Sequence, residues 1–243
     1  MSAPDKPVTS SSARERTYKI GNLPVRVADA GSNTAVIVTH PWGLLGGNMH
    51  NNVVCACCLY FQQLGVTTVR FDFDGSVGRG YAQVDQLLTV ARNLLHNGTF
   101  SVDKSRKPKH LILIGYSYGS LIASSATADL KDECIACISI APPFAVAHWL
   151  LTFNVKYHME RAAQLPDLPR LFLIGDNDNF TSENVFSEKV AVEFPSESST
   201  GAVLKGADHF FRRREKDVLD IIGEWLLSAF PSCGTDLRNL KDV

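Results

Sequence analysis

The sequence predicts an α/β protein: a doubly wound, mostly parallel sheet with helices on both faces and a short covering segment. Three observations carry this. Short β-rich runs alternate with longer runs of helical periodicity along the chain, the pattern of βαβ units joined by right-handed crossovers. The central run Leu111-Ile112-Leu113-Ile114 shows no polar alternation, as a strand buried on both faces of a parallel sheet requires. Breaking pairs fall where such runs end, at His40-Pro41, Asp74-Gly75 and Gly175-Asp176.

Each element follows from its own residues. Positions 1–16 are rich in Ser and Pro and read as a mobile N-terminal tail, and 17–30 supply one or two antiparallel edge strands. A strand at 35–39 leads to helical spacing at Val53, Val54, Cys57, Cys58, Phe61 and Leu64. Positions 66–73 form the next strand. Val84, Leu87, Leu88, Ala91, Leu94 and Leu95 then recur at the i, i+3, i+4, i+7 spacing of one helix face. After the strand at 111–114 come a small-residue helix at 119–128 and strands at 135–140 and 170–174. A helix at 181–192, a short strand at 202–204 and an amphipathic helix at 218–230 complete one domain, 17–230, with a C-terminal tail at 231–243. One segment breaks the rhythm. Positions 145–165 lie between two strands and carry His148, Trp149, Leu150, Leu151 and Phe153; they read either as a packing helix or as a small lid over a cleft.

Composition excludes several classes. The 243 residues carry 24 Lys+Arg against 25 Asp+Glu, a net charge of −1, with 45% hydrophobic and 20% charged residues. That is a globular chain with a sizeable core, not a disordered polymer, a coiled coil or a disulfide-stapled miniprotein. Near-neutral charge removes the electrostatic footprint of a nucleic-acid binder. No apolar run reaches the roughly 18 residues of a membrane span, and the first 16 positions lack the apolar region of a secretory signal. A cytoplasmic location is therefore expected, and the triplets Asn97-Gly98-Thr99 and Asn179-Phe180-Thr181 are chance glycosylation matches. Oligomeric state is not legible. Cys55, Cys57 and Cys58 share an apolar helical stretch, while the pair Cys134 and Cys137 enters a strand rather than opening a helix. With no second pair at zinc-site spacing, these read as reduced structural thiols.

The sharpest local signal is Gly115-Tyr116-Ser117-Tyr118-Gly119, with an apolar strand running in and a small-residue helix running out. Glycine at both ends suits a crowded strand-to-helix turn that projects the Ser117 hydroxyl above the carboxyl edge of the sheet. The bland alternative is a tight glycine turn with a passive serine. Other motifs fall away: counted from Asp72, a calcium loop would need glycine at Val77 and glutamate at Gln83. Gly43, Gly46 and Gly47 lack the lysine of a phosphate loop. The run Arg212-Arg213-Arg214 reads as a solvated face rather than an anion site.

With this pentapeptide in its context, the chain from about 17 to 230 resembles the α/β-hydrolase superfamily. It is most similar to a group of small, short-lidded serine hydrolases of the dienelactone-hydrolase and esterase kind. The stretch from His40-Pro41-Trp42-Gly43 through Gly46-Gly47 resembles that group's histidine–proline signature with paired glycines, and the strand Thr67 to Phe73 its "RF-x-F" strand. Two departures stand out: His40-Pro41 replaces the superfamily's common His-Gly, and Asp74-Gly75-Ser76-Val77-Gly78 replaces a basic loop.

The resemblance implies a triad in the chain order Ser, Asp or Glu, His. Ser117 is then the nucleophile. Gly175-Asp176-Asn177-Asp178 resembles the family's G-x-x-D turn and makes Asp178 the acid, with Asp176 as its rival. Gly206-Ala207-Asp208-His209-Phe210-Phe211 resembles G-x-x-H-x-F and makes His209 the base; it alone of seven histidines follows the last strand. The oxyanion donors implied are the amide of Tyr118 and that of Trp42, with Gly43 as the alternative to Trp42. Gly43 and Trp149 are further expected to line the substrate site. No metal or organic cofactor is required. The expected function is a serine hydrolase cleaving a small-to-medium carboxylic ester or thioester through an acyl-enzyme on Ser117, its partner a small-molecule acyl substrate. The alternative is a non-catalytic or very slow binding or receptor protein on the same fold.

Overall fold

A computed structural model describes residues 14–75, 77–101 and 106–231. Eight strands form one sheet: β1 (Arg16–Ile20), β2 (Leu23–Ala28), β3 (Thr34–Thr39), β4 (Thr67–Phe71), β5 (His110–Tyr116), β6 (Cys134–Ile140), β7 (Arg170–Asn177) and β8 (Ser199–Asp208). Their order is β1-β2-β4-β3-β5-β6-β7-β8. β3 to β8 run parallel, while β1 and β2 add an antiparallel edge. The order reverses between β3 and β5, which places the crevice of the sheet above their carboxyl ends.

Parallel strands need crossovers, and the helices supply them on both faces. α1 (Asn52–Gln63) and α7 (Glu215–Ala229) cover one face; α2 (Tyr81–Leu95), α3 (Tyr118–Ala126), α4 (Ala147–Leu150), α5 (Val155–Ala162) and α6 (Glu183–Glu193) cover the other. β5 shows why its sequence is apolar throughout. Leu111 and Leu113 enter the core under α2 and α3, and Ile112 and Ile114 enter the core under α1 and α7. Period-two side-chain alternation puts every residue of such a strand in one core or the other.

Several boundaries differ from the sequence expectation. The tail expected at 1–16 ends earlier, because Glu15 and Arg16 belong to the fold. Glu15 accepts a two-pronged hydrogen bond from Arg70 on β4, at 2.9 and 2.6 Å, and Arg16 opens β1. Residues 1–13 of that tail, like residues 232–243 of the C-terminal one, lie outside the described residues, as does Ser76. β8 spans ten residues rather than three, because this edge strand is half-exposed and only its middle is apolar. Cys134 and Cys137 are separate buried thiols. Burial pushes both up in pKa, and it pushes Cys57 up to about 12, so none of the three supplies a thiolate near neutrality.

Segment 145–165 folds as two short helices. α5 packs on α3, with His158, Met159 and Ala162 buried. The preceding α4 is a single turn that carries Leu150 toward the crevice. Between them Thr152 and Phe153 adopt left-handed φ values of 47° and 61°. Polar bonds fasten the segment to the loop before α2. Thr152 Oγ1 donates to the Gly78 carbonyl at 2.9 Å, and His158 Nε2 donates to the Arg79 carbonyl at 2.6 Å. The other ring nitrogen, Nδ1, then accepts from Ser125 Oγ at 2.9 Å. Burial of this ring lowers its pKa from the ordinary histidine value of 6.5, so both bonds are made by the neutral imidazole.

Candidate active site

Ser117 occupies the tight turn between β5 and α3 at φ 55°, ψ −124°. A non-glycine residue persists there only when its surroundings fix it. The Ser117 amide donates to the Ile140 carbonyl at 2.8 Å. On one side, a Cβ on Gly115 would lie 2.3 Å from Ser120 Cα; on the other, a Cβ on Gly119 would lie 2.7 Å from the carbonyl oxygens of Thr39 and His40. Neither glycine has positive φ. They are required because backbones cross at van der Waals contact, which lets the turn hold its central serine up.

β7 and β8 lie beyond β6 in the sheet, and the loops at their carboxyl ends reach back to this turn. His209, on the loop after β8, is 4% exposed. Its Nδ1 lies 2.7 Å from Asp178 Oδ2 and its Nε2 lies 2.9 Å from Ser117 Oγ. A carboxylate only accepts, so Nδ1 carries the proton and Nε2 accepts from the serine hydroxyl. Tyr116 fixes the backbone of this histidine, its hydroxyl donating to the His209 carbonyl at 2.9 Å. Burial, then the nearby Asp178 and Asp208 charges, push the Tyr116 phenol up in pKa, so it stays a donor. The Phe180 ring packs 4.4 Å from the imidazole.

Asp178 and Asp176 do different things. Asp178 Oδ1 accepts the amides of Phe180 and Thr181 at 2.7 and 3.0 Å, which turns Oδ2 toward His209. Asp176 Oδ1 instead accepts the Gly206 amide at 2.7 Å, tying the end of β7 to β8. The acid that contacts the histidine is Asp178.

The amides expected to receive an oxyanion belong to Tyr118, next to the serine in the chain, and to Trp42. Tyr118 is the first residue of α3, where N–H groups have no partner within the helix. Trp42 precedes a 3-10 turn at Gly43–Leu45 and lines the cleft. His40 faces elsewhere. It donates from Nδ1 to the Pro41 carbonyl at 2.6 Å and accepts the Phe73 amide on Nε2 at 2.9 Å. Burial lowers its pKa, the neutral state those two bonds require.

The cleft above Ser117 has a cavity volume of about 110 Å³. Its walls are chiefly apolar, with Leu45, Pro143, Leu150, Phe180 and Phe210 around the serine and histidine. The structure does not bring Trp149 or Gly43 to this lining. Trp149 is 67% exposed and clusters with His148 and Phe153. Neighbouring positions on a helix diverge by about 100°, so turning Leu150 inward turns Trp149 out. Gly43 lies in the 3-10 turn, and Leu45 from the same turn meets the cleft. Sequence reasoning missed Asn51, Asn52 and Arg212, the polar part of the lining. Arg212 lies over the Phe210 ring at 5.5 Å, so the arginine run is not simply a solvated face. For Arg212 the available signal was proximity, since it follows His209 closely in the chain.

Comparison with known proteins places this geometry among relatives. A family model described as an alpha/beta hydrolase domain matches residues 32–225. An uncharacterized protein of Rickettsia prowazekii is 27% identical over 216 residues, 86% of this chain and 85% of that one. A solved alpha-beta serine hydrolase homologue from Coxiella burnetii is 25% identical with a TM-score of 0.65, covering 88% of this chain and 97% of that one. A lidless serine hydrolase structure from Xanthomonas campestris is 24% identical with a TM-score of 0.66, covering 92% and 97%.

Proposed function

The chain belongs to the alpha/beta hydrolase domain family, and from that premise we propose that it is a serine hydrolase of small-to-medium carboxylic esters or thioesters. The observation that carries the reading is the unbroken hydrogen-bond chain from Asp178 through His209 to Ser117, at 2.7 and 2.9 Å, opening into an apolar cleft. Ser117 Oγ attacks the acyl carbonyl as His209 Nε2 takes its proton. Asp178 holds the imidazole in the tautomer that makes Nε2 the acceptor and stabilises the imidazolium that forms. The developing oxyanion receives N–H bonds from Tyr118 and from Trp42 or Gly43; losing one such donor costs about 3 kcal/mol in the barrier. His209 returns its proton to the departing alkoxide or thiolate, leaving the acyl group on Ser117. Water, deprotonated by the same nitrogen, then releases the acid.

The catalytic domain of this proposal is 17–230, with 145–165 as its cover. The free buried thiols fit a cytoplasmic site of action. Pre-steady-state hydrolysis of p-nitrophenyl acetate tests the mechanism: the reading predicts a burst of about one nitrophenolate per chain. A folded protein that gives neither burst nor turnover would instead be a non-catalytic binding protein. Across p-nitrophenyl esters of rising length, kcat/KM should peak at short-to-medium acyl chains; a steady rise to long chains would overturn the size limit.

A further inference from the structure

Among the described residues, six of the eleven large apolar side chains left in water lie on or next to segments that border the cleft. Leu44 and Leu45 are 58% and 67% exposed, Trp149 and Phe153 67% and 71%, Val77 72% and Phe210 43%. They come from four separate segments, three of which contribute Leu45, Leu150 and Phe210 to the cleft lining. Leu45 and Phe210 line the cleft, and Trp149 precedes its lining residue Leu150. Phe153 stacks edge-on to Trp149, their ring centroids 5.3 Å apart, and Thr152 anchors this pair to Gly78, the residue after Val77. Single exposed hydrophobic residues need no explanation; a contiguous ring of them marks a docking surface.

Charge says what the ring fits. Arg79, Arg212 and Arg213 are exposed and lie beside Val77 and Phe210 in the chain. None has an ion-pair partner among the described residues. Arg212 reaches the cleft itself, and no acidic side chain lines it. The whole chain carries a net charge of −1, whereas the cleft lining carries one arginine and no carboxylate; the exposed Asp74 and Asp208 of the same segments stay outside it. Aromatic and aliphatic side chains interspersed with arginines suit a bilayer interface, where rings sit at headgroup depth and guanidinium groups meet phosphate.

We propose that the cleft mouth is a docking surface for an anionic lipid membrane, with Trp149 and Phe153 as its inserting anchors and the flanking arginines as its headgroup contacts. The proposal does not rest on the hydrolase reading, because docking requires no intact Ser117.

Cosedimentation with phosphatidylcholine vesicles, with and without 30% phosphatidylglycerol (on the order of the anionic fraction that attracts basic surfaces), tests it on the full chain. Wild-type protein is expected to partition onto the anionic vesicles more strongly than onto neutral ones. The double variant Trp149→Ser/Phe153→Ser should lose about tenfold or more of that partitioning, and Arg213→Gln about fivefold. Both variants should hydrolyse a soluble ester at the wild-type rate, which shows that they are folded. Wild-type protein that stays in the supernatant overturns the proposal, as does a double variant that binds as well as wild type. Self-association without vesicles that the double variant abolishes would also overturn it, by assigning the patch to a second copy of the chain.

Discussion

Two of the stretches that hold non-glycine residues in the left-handed region, the Ser117 turn and the pair Thr152 and Phe153, are secured in opposite ways. Ser117, at φ 55°, is buried, with backbones packed against both flanking glycines and its amide bonded to β6. Thr152 and Phe153, at 47° and 61°, stand at the surface, tied by one side-chain bond to Gly78 and by the imidazole of His158 beyond them. Strain at the serine is fixed by the sheet itself; strain in the cover is fixed by a few polar latches. The contrast separates a rigid chemical centre from a replaceable rim, and substitutions at the two places should differ in kind.

At the rigid centre the largest losses are kinetic. Ser117→Ala should cut ester hydrolysis by on the order of 10⁵-fold without moving the melting temperature downward, read by initial rates and thermal unfolding side by side. Asp178→Asn should lower kcat by about 10⁴-fold by upsetting the His209 tautomer. Asp176→Asn should stay within about tenfold, since Asp176 bonds Gly206 and Asn177 and does not touch His209. A larger loss at Asp176 would reverse the assignment of roles.

Gly119→Ala probes the packing that supports the serine. Its Cβ meets two carbonyl oxygens at 2.7 Å, so denaturant unfolding should show a loss of about 3 kcal/mol. At the cover, His158→Gln should cost about 1–2 kcal/mol for its two buried bonds. It should also change the pH dependence. The folded-state pKa of His158 lies below the ordinary 6.5, so below about pH 6.5 the unfolded chain takes up the proton first. Stability conferred by the neutral ring is therefore complete above 6.5 and declines as pH falls toward the folded-state pKa. His40 acts with the same sign, so the variant should flatten the acid-side decline only in part. An unchanged slope would show that the latch does not hold a neutral imidazole. Trp149→Ser should be the mildest change, within about 0.5 kcal/mol in unfolding.

Legibility in the sequence follows the same division. The doubly buried strands announce themselves, because residues such as Leu111 to Ile114 must be apolar on both sides. The Ser117 turn is legible because an apolar strand runs into it and a small-residue helix runs out, although only Gly115 answers to a local neighbour, Ser120, while Gly119 answers to the distant Thr39 and His40. β8 was foreshortened because an edge strand needs apolar side chains on only part of its length. Trp149 was expected where Leu150 stands, since a one-turn helix carries too few residues to fix its rotation. The three consecutive arginines were indistinguishable in sequence, yet they diverge in the fold: Arg212 covers Phe210, Arg213 faces solvent, and Arg214 holds Asp217 and the carbonyls of Lys205 and Gly206. Glu15 was read as tail because its partner Arg70 lies 55 residues away. In each case the missing information was a tertiary contact.

Labelling with a fluorophosphonate probe, followed by peptide mapping, tests the central claim most directly. The account predicts one modified residue, Ser117, with labelling absent in Ser117→Ala and sharply slowed in His209→Ala. Folded wild-type protein that resists the probe, or a label that persists in Ser117→Ala, would contradict it.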